Sequence, residues 1–230
     1  MNDTELCKKA LLAAEKGGAQ AEVFFMRGRA TSISVENGEV ETLKICEDIG
    51  LGLRVILDGG KMGFAHASDL SPASIDDVVE SAIANAGCSA PDEFNALAEN
   101  LCVPDMGFGL VDEDLASVST DRKVALAIEM EKVARGVDPR VKKVRSSSYA
   151  DSDGTATIVS STGISKTTAS TFCTASIVTI AEDGDEAETG WEFDYARGFD
   201  GLRPEWTGRE AGRKAVLLLG GKPVNSCEAR

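Results

Sequence analysis

The chain has 230 residues and a mass of 24.2 kDa, with 43% hydrophobic, 27% charged and only 5% aromatic residues. This composition is typical of one large or two small globular domains. Its 38 acidic residues outweigh 24 basic ones and give a formal charge of −14, which disfavours direct binding to nucleic acid or to an anionic membrane surface, because both require a basic patch. The densest basic run, Val137–Arg145, is typical of a solvated helix end and strand start.

The amino-terminal third predicts one helix followed by antiparallel strands. Apolar residues at helical spacing predict a helix over Glu5–Lys16, which the next two glycines end. A buried strand is predicted over Ala21–Arg27, and Asn37-Gly38 predicts a β-hairpin with a type I′ turn. Leu43 and Ile45 fall on the opposite face of that hairpin, so we expect a bulge or a sheet covered on both sides.

A second hairpin contains His66, the one histidine of the chain. Alternating apolar residues over 51–57 and 62–66 flank a turn at Asp58-Gly59-Gly60. On this count His66 shares a face with Met62 and Phe64, so we expect a hydrogen-bonded core residue in a structural hairpin. Ser71-Pro72 then starts a helix.

Helical and strand periodicity is lost over residues 87–119, and the second half then repeats the order of elements seen in the first. A helix over Asp121–Arg135 precedes the strands, with Val124, Ile128, Glu131 and Ala134 roughly in line. Four strands and a last helix are predicted over Lys142–Ala150, Thr155–Ser161, Lys166–Ala181, Thr189–Ala196 and Pro204–Leu219.

Strands that come in runs, rather than alternating with helices, predict an α+β fold. We expect two helix-flanked, mostly antiparallel sheets, with a possible pseudo-repeat. The predicted domains are an amino-terminal α+β domain over 1–90, a connector over 91–120 and a middle α+β domain over 121–230.

No catalytic or metal motif is legible in the sequence. A zinc motif of the HExxH type needs two histidines, and cysteine-only zinc sites need closely spaced pairs, which the six cysteines do not form. We therefore expect no cofactor in this chain and reduced cysteines, several of them buried. The start of the sequence has no apolar signal segment, and no run is long enough to span a membrane, which predicts a cytoplasmic protein. The acidic stretch 181–188 is predicted to be a charged hairpin tip rather than a calcium site.

One segment suggests a binding function. The strand Lys166–Ala181 is rich in threonine, serine and alanine, so it is β-prone yet small in volume. Such a strand leaves room for another subunit, or for an extended peptide that adds to a sheet edge through main-chain hydrogen bonds. An exposed strand with ordinary polar alternation is the alternative.

Several stretches, taken in order, resemble the TldD/PmbA family, also called the modulator of DNA gyrase family. The amino-terminal part is similar in GAQAEVFFMR, SISVENGEVETL and DIGLGLRVILDGGKMGFAHASDLS. The middle part is similar in VSSTGISKTTASTFCTASIVTIAEDGDEAETGWEFDYARGFDGL and GREAGRKAVLLLGGKPV. The connector SAPDEFNALAE and the stretch EMEKVARGVDPRV resemble the PmbA type of subunit, and the whole resemblance extends from about Gly17 to Val224.

The resemblance implies a subunit of a cytoplasmic peptidase that acts in proteolysis and peptide maturation. TldD-type subunits carry a zinc-binding HExxxH motif, which PmbA-type subunits lack, so zinc is expected in a partner subunit or in a missing domain. Family members are about twice as long, so their carboxy-terminal domain is expected to be absent here. The expected partners are a TldD-like subunit, or a second copy of the chain, and a peptide. Arg54 and Arg197, which lie in family-like motifs, are the candidates for contacting acidic peptide groups or the partner, with surface salt bridging as their alternative role.

Two other functions stay open at the level of the sequence. The chain could be part of a metallopeptidase whose metal site lies beyond residue 230, which metal analysis of the full-length protein would show. It could also be a non-catalytic oligomeric binding module, which would form a stable homodimer without peptidase activity under any pairing.

Overall fold

The computed structural model describes residues 2–100 and 107–222 and confirms the α+β fold. The helices are α1 Asp3–Lys16, α2 Pro72–Cys88, α3 Thr120–Arg135 and α4 Pro204–Leu218. The strands are β1 Gln20–Glu36, β2 Glu39–Leu57, β3 Lys61–Ala67, β4 Val141–Ser160, β5 Ser165–Asp183 and β6 Glu186–Ala196. The predicted helix boundaries hold to within two residues where Gly17, Ser71 and Pro204 mark them.

The six strands follow one order, β3-β2-β1-β4-β5-β6, where the sequence predicts two sheets. The terminal pairs β2–β3 and β5–β6 are antiparallel hairpins. In this order β3 and β6 are the edge strands, and β5 lies between β4 and β6. Residues Cys173–Asp183 of β5 pair with β6, so this part of the segment Lys166–Ala181 lies inside the sheet. The free sheet edge that the sequence predicts for this segment is formed by β6 instead.

The chain divides into two compact units, and four strands run from one unit into the other. Unit 1 comprises residues 1–29, 47–110 and 153–170, and unit 2 comprises 30–46, 111–152 and 171–230. In unit 1, α1 and α2 bury an apolar core that includes Phe25 and Leu53. In unit 2, the core around Met130, Tyr149 and Ile177 contains residues of α3 and α4. The linear division of the chain at residues 91–120 remains a prediction.

Two predicted strand breaks are absent because glycines let neighbouring strands approach closely. The sequence predicts separate strands on either side of residues 28–30 and a turn at Asp153-Gly154, yet β1 and β4 each continue through these positions. A Cβ built on Gly28 would lie 3.1 Å from the Asp153 carbonyl oxygen, and one on Gly154 would lie 3.2 Å from that of Arg27. These glycines therefore serve strand contact rather than chain reversal.

Each unit places a glycine of its edge strand directly beneath an alanine pair of the next helix. In unit 1, a Cβ on Gly63 of β3 would overlap the backbone of Ala82 and Ala86 in α2. In unit 2, a Cβ on Gly190 of β6 would overlap Ala211 and Ala215 in α4. The same spacing in both halves favours the predicted pseudo-repeat.

The prediction that His66 is a core residue is wrong. The register pairs Gly52 with His66 and Arg54 with Phe64, so the predicted alternation is correct, but the face that carries His66 is the outer one. Phe64 is 54% exposed and stacks on the exposed His66 with ring centroids 5.9 Å apart. The physical reason is the close approach of α2, which leaves room only for Gly63 on the inner face and turns the large side chains outward.

Half of the stripe predicted for α3 is confirmed, since Glu131 and Ala134 are buried, and the other half is displaced by about one position. Lys123, Leu126, Ala127 and Met130 are buried, whereas Val124 and Ile128 are only partly buried. Likewise Leu43 and Ile45 of β2 are 44% and 45% exposed, so no second layer covers them within the part of the chain that the structure describes.

The cysteines and the helices bear on two further expectations. The four described cysteines are free, and burial raises the pKa of Cys7 and of Cys173 to about 11. Cys102 and Cys227, and the last two residues of the family-like stretch GREAGRKAVLLLGGKPV, lie outside the described residues. Among residues 2–100 and 107–222, no helix has the length and apolar character needed to cross a membrane.

The Asn37-Gly38 turn is fixed by two side chains of α3. Both turn residues have positive φ, 55° and 78°, as predicted for this hairpin. The Gly38 amide donates to Glu131 Oε2 at 3.0 Å, and Arg135 Nη2 donates to Asn37 Oδ1 at 2.9 Å. Arg135 Nε also donates to Glu131 Oε1 at 2.9 Å, so the Glu131 carboxylate, only 4% exposed, joins the turn to the helix.

We expect Glu131→Ala to lower the free energy of unfolding by about 2–3 kcal/mol, because it leaves the Gly38 amide and the Arg135 guanidinium without their shared acceptor. Glu129→Ala is the matched control on the same helix, since within the described part of the chain Glu129 makes only a surface pair with Lys132 at 3.4 Å. Its expected change is within about 0.5 kcal/mol. Urea unfolding followed by circular dichroism measures both; equal losses in the two variants would contradict the turn-fixing role.

Candidate functional site

Arg54, the first predicted site residue, is engaged within unit 1. Its Nη2 donates to Glu22 Oε1 at 2.9 Å, and 38% of its side chain is exposed. Its Nε is buried without a hydrogen-bond partner among the described residues. Arg54 therefore forms the ion pair that its alternative role predicted, and any contact with a ligand or a partner remains a prediction.

Arg197, the second predicted site residue, directly follows β6 in unit 2. Its side chain is exposed, and within residues 2–100 and 107–222 its guanidinium forms no ion pair. Its carbonyl oxygen accepts from Thr171 Oγ1 at 2.8 Å, and the same hydroxyl accepts from the Asp112 amide at 2.8 Å. Arg54 and Arg197 thus belong to different units, and each is held by its own neighbours.

The most distinctive surface of unit 2 is a row of exposed aromatic side chains on the β5–β6 hairpin, here called the aromatic row. It consists of Phe172, Trp191, Phe193 and Tyr195, which are 47%, 51%, 42% and 64% exposed. Ring centroids are 5.0 Å apart between Trp191 and Phe193, 6.2 Å between Phe193 and Tyr195, and 6.2 Å between Phe172 and Tyr195. Exposed contiguous apolar patches of this kind mark binding surfaces in soluble proteins.

The row faces outward because α4 occupies the inner face of β6. Side chains alternate along a strand, and the inner positions of β6, Gly190, Glu192 and Asp194, are buried. Opposite the row, β5 contributes the smaller residues Thr174, Ser176 and Val178. The sequence contains this signal as the period-two pattern W-E-F-D-Y; the prediction of a strand there did not include its aromatic face.

The hairpin that carries the row is strongly acidic. Residues 171–196 contain seven Asp or Glu residues and no Lys or Arg. Neighbouring elements neutralise four of these carboxylates through Lys143, Arg140, Lys214 and Arg203. Asp185, Glu186 and Glu188, at the end of the hairpin near Trp191, have no ion-pair partner in the described part of the chain, and the predicted charged hairpin tip is confirmed.

The free edge of β6 is capped by side chains next to the row. Lys214 Nζ donates to the Trp191 carbonyl oxygen at 3.4 Å and to Glu192 Oε2 at 2.7 Å, while the Phe193 amide donates to Glu192 Oε1 at 3.0 Å. Burial raises the pKa of Glu192, but the hydrogen bonds from Lys214 and from the Phe193 amide outweigh it and lower the pKa overall. Capped edges resist strand addition, so the accessible feature of β6 is its aromatic face.

Unit 1 has a counterpart of this arrangement on β3. Asn85 of α2 donates from Nδ2 to the Phe64 carbonyl oxygen at 3.0 Å. Asn85 follows Ala82 by three residues, as Lys214 follows Ala211, and Phe64 follows Gly63 as Trp191 follows Gly190. The outer row is shorter here, with Phe64 stacked on His66.

An ion pair between the exposed Arg203 and the buried carboxylate of Asp194 supports the start of α4 beneath the row. Arg203 donates to Asp194 through its amide, Nε and Nη2 at 2.9–3.0 Å, and the Asp194 side chain is only 7% exposed. The hydrogen bond from the Arg203 side chain is the main reason that the pKa of Asp194 lies below its ordinary value. Asp194 therefore links β6 to the helix that packs under it.

We expect the stability of the chain to fall in acid partly through Asp194. Because its pKa is lower folded than unfolded, its contribution is fully present above about pH 4 and is lost as the pH falls through the folded value. Arg203→Gln should flatten the decrease in Tm between about pH 5 and pH 2, whereas Arg209→Gln, a change at an exposed position of α4, should leave the slope unchanged. Differential scanning calorimetry at several pH values measures both; parallel slopes in all three proteins would refute the assignment.

The described residues do not assemble a metal site. No group of three or more His, Cys, Asp or Glu side chains is placed to hold a metal ion in residues 2–100 and 107–222. The exposed His66 stacks on Phe64 rather than facing carboxylates or thiols. The residues present therefore do not fit the zinc expected of the family's TldD-type subunits.

Sequence profiles of one family match both halves of the chain. Residues 21–86 match the PmbA/TldA metallopeptidase domain 1, and residues 113–219 match the PmbA/TldA metallopeptidase central domain. The chain is 30% identical over 223 residues to a metalloprotease PmbA homolog from Haemophilus influenzae and 28% identical over 229 residues to metalloprotease PmbA from Escherichia coli O157:H7. These alignments cover 95% and 98% of the chain but only 49% and 50% of the relatives, so the chain spans about half of their length.

Solved structures show the same fold at low sequence identity. A protein named as a proposed modulator of DNA gyrase from Thermotoga maritima superposes with a TM-score of 0.87 at 21% identity, covering 98% of this chain and 50% of that one. TldE from Thermococcus kodakarensis superposes with a TM-score of 0.82 at 20% identity, covering 92% and 47%. The chain thus shares the fold of about half of each of these longer proteins.

Proposed function

Because this chain belongs to the PmbA/TldD family, we propose that it is the peptide-holding part of a PmbA-like subunit, which acts with a zinc-bearing TldD-like subunit in cytoplasmic proteolysis and peptide maturation. The relatives named PmbA align along nearly the whole chain, whereas a metalloprotease TldD homolog from Haemophilus influenzae aligns over 55% of it. This difference supports the PmbA-like assignment. The chain has one histidine, so it cannot supply an HExxxH motif itself.

The aromatic row carries the proposal. Four aromatic side chains lie exposed on a sheet face that α4 supports from beneath, which gives a rigid and largely apolar platform. An extended peptide laid along such a platform places every second side chain against the rings. The rings lose little conformational entropy on binding because the sheet already fixes them.

The mode of binding differs from the edge pairing expected from the sequence. Strand addition at β6 would have to displace Lys214 from the Trp191 carbonyl oxygen and Glu192 from the Phe193 amide. We therefore assign the main contacts to side chains on the outer face. Arg197 continues the alternate spacing of Trp191, Phe193 and Tyr195, and we assign to it the contact with an acidic or terminal carboxylate group of the peptide.

Arg54 is the corresponding candidate for the partner subunit. It lies beside Phe64 in the register of unit 1, and 38% of its side chain is exposed despite its pair with Glu22. A carboxylate of the partner could take the place of solvent at this position. Its exposed fraction is the property that supports the assignment.

Mixing experiments test this function. Purified chain should contain no stoichiometric zinc and should not cleave an unstructured peptide, whereas adding it to a TldD-type relative with HExxxH should raise that relative's cleavage rate about tenfold. The double change Trp191→Leu and Phe193→Leu should abolish the increase, and Phe94→Leu, at an 87% exposed ring in unit 1, is the matched control. Zinc-dependent cleavage by the chain alone, or an increase that survives the double change, would overturn the proposal.

A further inference from the structure

We propose that residues 39–46 of β2, here called the open edge, are the surface on which a strand of the TldD-like partner subunit pairs. This deepens the proposed function, on which it rests. The whole open edge belongs to unit 2. Strand β3 pairs with β2 only over residues 51–57, although β2 begins at Glu39. Within residues 2–100 and 107–222, no strand therefore lies beside the open edge on that side.

The geometry of the β1–β2 hairpin shows which main-chain groups of the open edge are free. A two-residue turn with positive φ at both positions makes Glu36 and Glu39 the closing hydrogen-bonded pair of the hairpin. Such pairs recur at every second residue, and the hydrogen bond from Ser34 Oγ to Glu41 Oε2 at 3.2 Å agrees with this register. The residues in between direct their amides and carbonyl groups away from β1, toward the position of a further strand; they are Val40, Thr42 and Lys44.

The open edge lacks the caps that protect the edges of β3 and β6. Asn85 Nδ2 donates to the Phe64 carbonyl oxygen in β3, and Lys214 Nζ donates to the Trp191 carbonyl oxygen in β6. In the described part of the chain, no side chain hydrogen-bonds to the backbone of residues 39–46. Free strand edges are normally protected because they pair readily with other chains. An unprotected edge of eight residues is therefore typical of a strand that receives a partner.

Apolar side chains are exposed on both faces of the open edge. Leu43 and Ile45 share one face and are 44% and 45% exposed, and Val40 lies on the other face and is 45% exposed. A strand paired at the edge would contact all three side chains. Because a bare apolar edge promotes aggregation, its occupant has to be present throughout the life of the protein. This requirement favours a subunit over a transient substrate.

Charge favours a different subunit over a second copy of the chain. Residues 30–46 contain three Glu, one Lys and no Asp or Arg, and the three carboxylates form no ion pair among the described residues. Antiparallel pairing of two copies about a twofold axis would bring Glu39 and Glu41 of both copies to one sheet face, where like charges repel. Each copy also carries a formal charge of −14. The open edge therefore fits a strand with basic residues opposite the two glutamates and apolar residues opposite Leu43 and Ile45.

Two substitutions of Thr42 test this inference. Thr42→Pro removes the amide at the centre of the open edge and leaves the hydrogen bonds to β1 intact, because proline is tolerated where the N–H faces away from the sheet. Thr42→Ala keeps the amide and is the matched control. Isothermal titration calorimetry measures the affinity of each variant for the TldD-type protein encoded in the same genome. We expect Thr42→Pro to weaken this complex at least tenfold and Thr42→Ala to change it less than twofold.

Hydrogen exchange of the unmodified chain gives a second measurement that needs no variant. The amides of Val40, Thr42 and Lys44 should exchange rapidly in the chain alone, because they face solvent. They should exchange at least tenfold more slowly in the complex with the TldD-type protein. The Glu41 amide, which faces β1, is the internal reference and should be protected in both states.

The outcomes distinguish this inference from the proposed function. A complex that Thr42→Pro leaves unchanged, without slower exchange in the open edge, would overturn the inference and leave the subunit role intact. A homodimer that Thr42→Pro dissociates would assign the open edge to a second copy, and slower exchange on addition of an unstructured peptide alone would assign it to the substrate; either result overturns the inference. The absence of any complex between the unmodified chain and the TldD-type protein would contradict both proposals.

Discussion

Replacing Gly190 with alanine is expected to lower the free energy of unfolding by about 3 kcal/mol, the upper part of the range for overpacking a close-packed site. The new methyl group would overlap the Ala211 carbonyl oxygen and the Ala215 amide, which are backbone atoms of α4 and cannot rotate away. Helix α4 would have to move off β6 as a whole. The same change at Gly63 should have a similar effect on α2 in unit 1, since it meets the backbone of Ala82 and Ala86.

Gly87→Ala is the matched control for both substitutions. Gly87 lies within α2, and a Cβ built on it meets no other group within 4 Å. Alanine has the better helix propensity, so this variant should gain about 0.5–1 kcal/mol. Urea unfolding of the three variants, followed by circular dichroism, measures these changes in the free energy of unfolding. If Gly190→Ala is as stable as the unmodified chain, the close packing of α4 on β6 is refuted.

Replacing Asp151 with alanine should lower the free energy of unfolding by about 3–5 kcal/mol, because it leaves a buried cation without its partner. Lys123 Nζ lies 2.5 Å from Asp151 Oδ2, and the two side chains are 10% and 6% exposed. The Tyr149 hydroxyl donates to the same oxygen at 2.7 Å, and its ring lies 5.8 Å from the ammonium group. Burial and the bond to Asp151 raise the pKa of Tyr149 well above its ordinary value, so the phenol stays a donor.

Removing both charges together separates the charge effect from simple loss of packing. The double variant Lys123→Met and Asp151→Asn keeps the volume at both positions and retains an amide oxygen that accepts from Tyr149. It should lie within about 1–2 kcal/mol of the unmodified chain, because replacing a buried ion pair by neutral groups is often nearly neutral. Calorimetric comparison of the single and double variants measures the difference. A double variant as unstable as Asp151→Ala alone would show that shape, not charge pairing, determines the effect.

The sequence predicts the elements of this fold well wherever a local signal marks an end. Asn37-Gly38, Ser71-Pro72 and Gly17 each fix a turn or a helix boundary through their own backbone preferences. Gly154 misleads for a physical reason: its role depends on Arg27, more than a hundred residues away, which no local pattern contains. Long-range contact between strands therefore produced strands longer than the sequence predicted.

The candidate site was harder to predict because the direction of a strand face depends on what covers it. His66 and Phe64 alternate as predicted, yet the apolar face points outward, since α2 leaves room only for Gly63 on the inner side. The same reasoning applies to Trp191 and Gly190 in unit 2. A glycine followed by a large aromatic residue on an edge strand was the available signal, and it marks the side on which a helix packs.

Photo-cross-linking from within the aromatic row would test the central claim most directly, namely that a peptide lies on the outer face of the β5–β6 hairpin. Phe193 is replaced by p-benzoylphenylalanine, and Phe94 in unit 1 receives the same group as a control for nonspecific contact. We predict that an unstructured peptide becomes covalently attached at position 193 and not at position 94. Attachment at position 94 alone, or at neither position while the peptide is bound, would contradict the account.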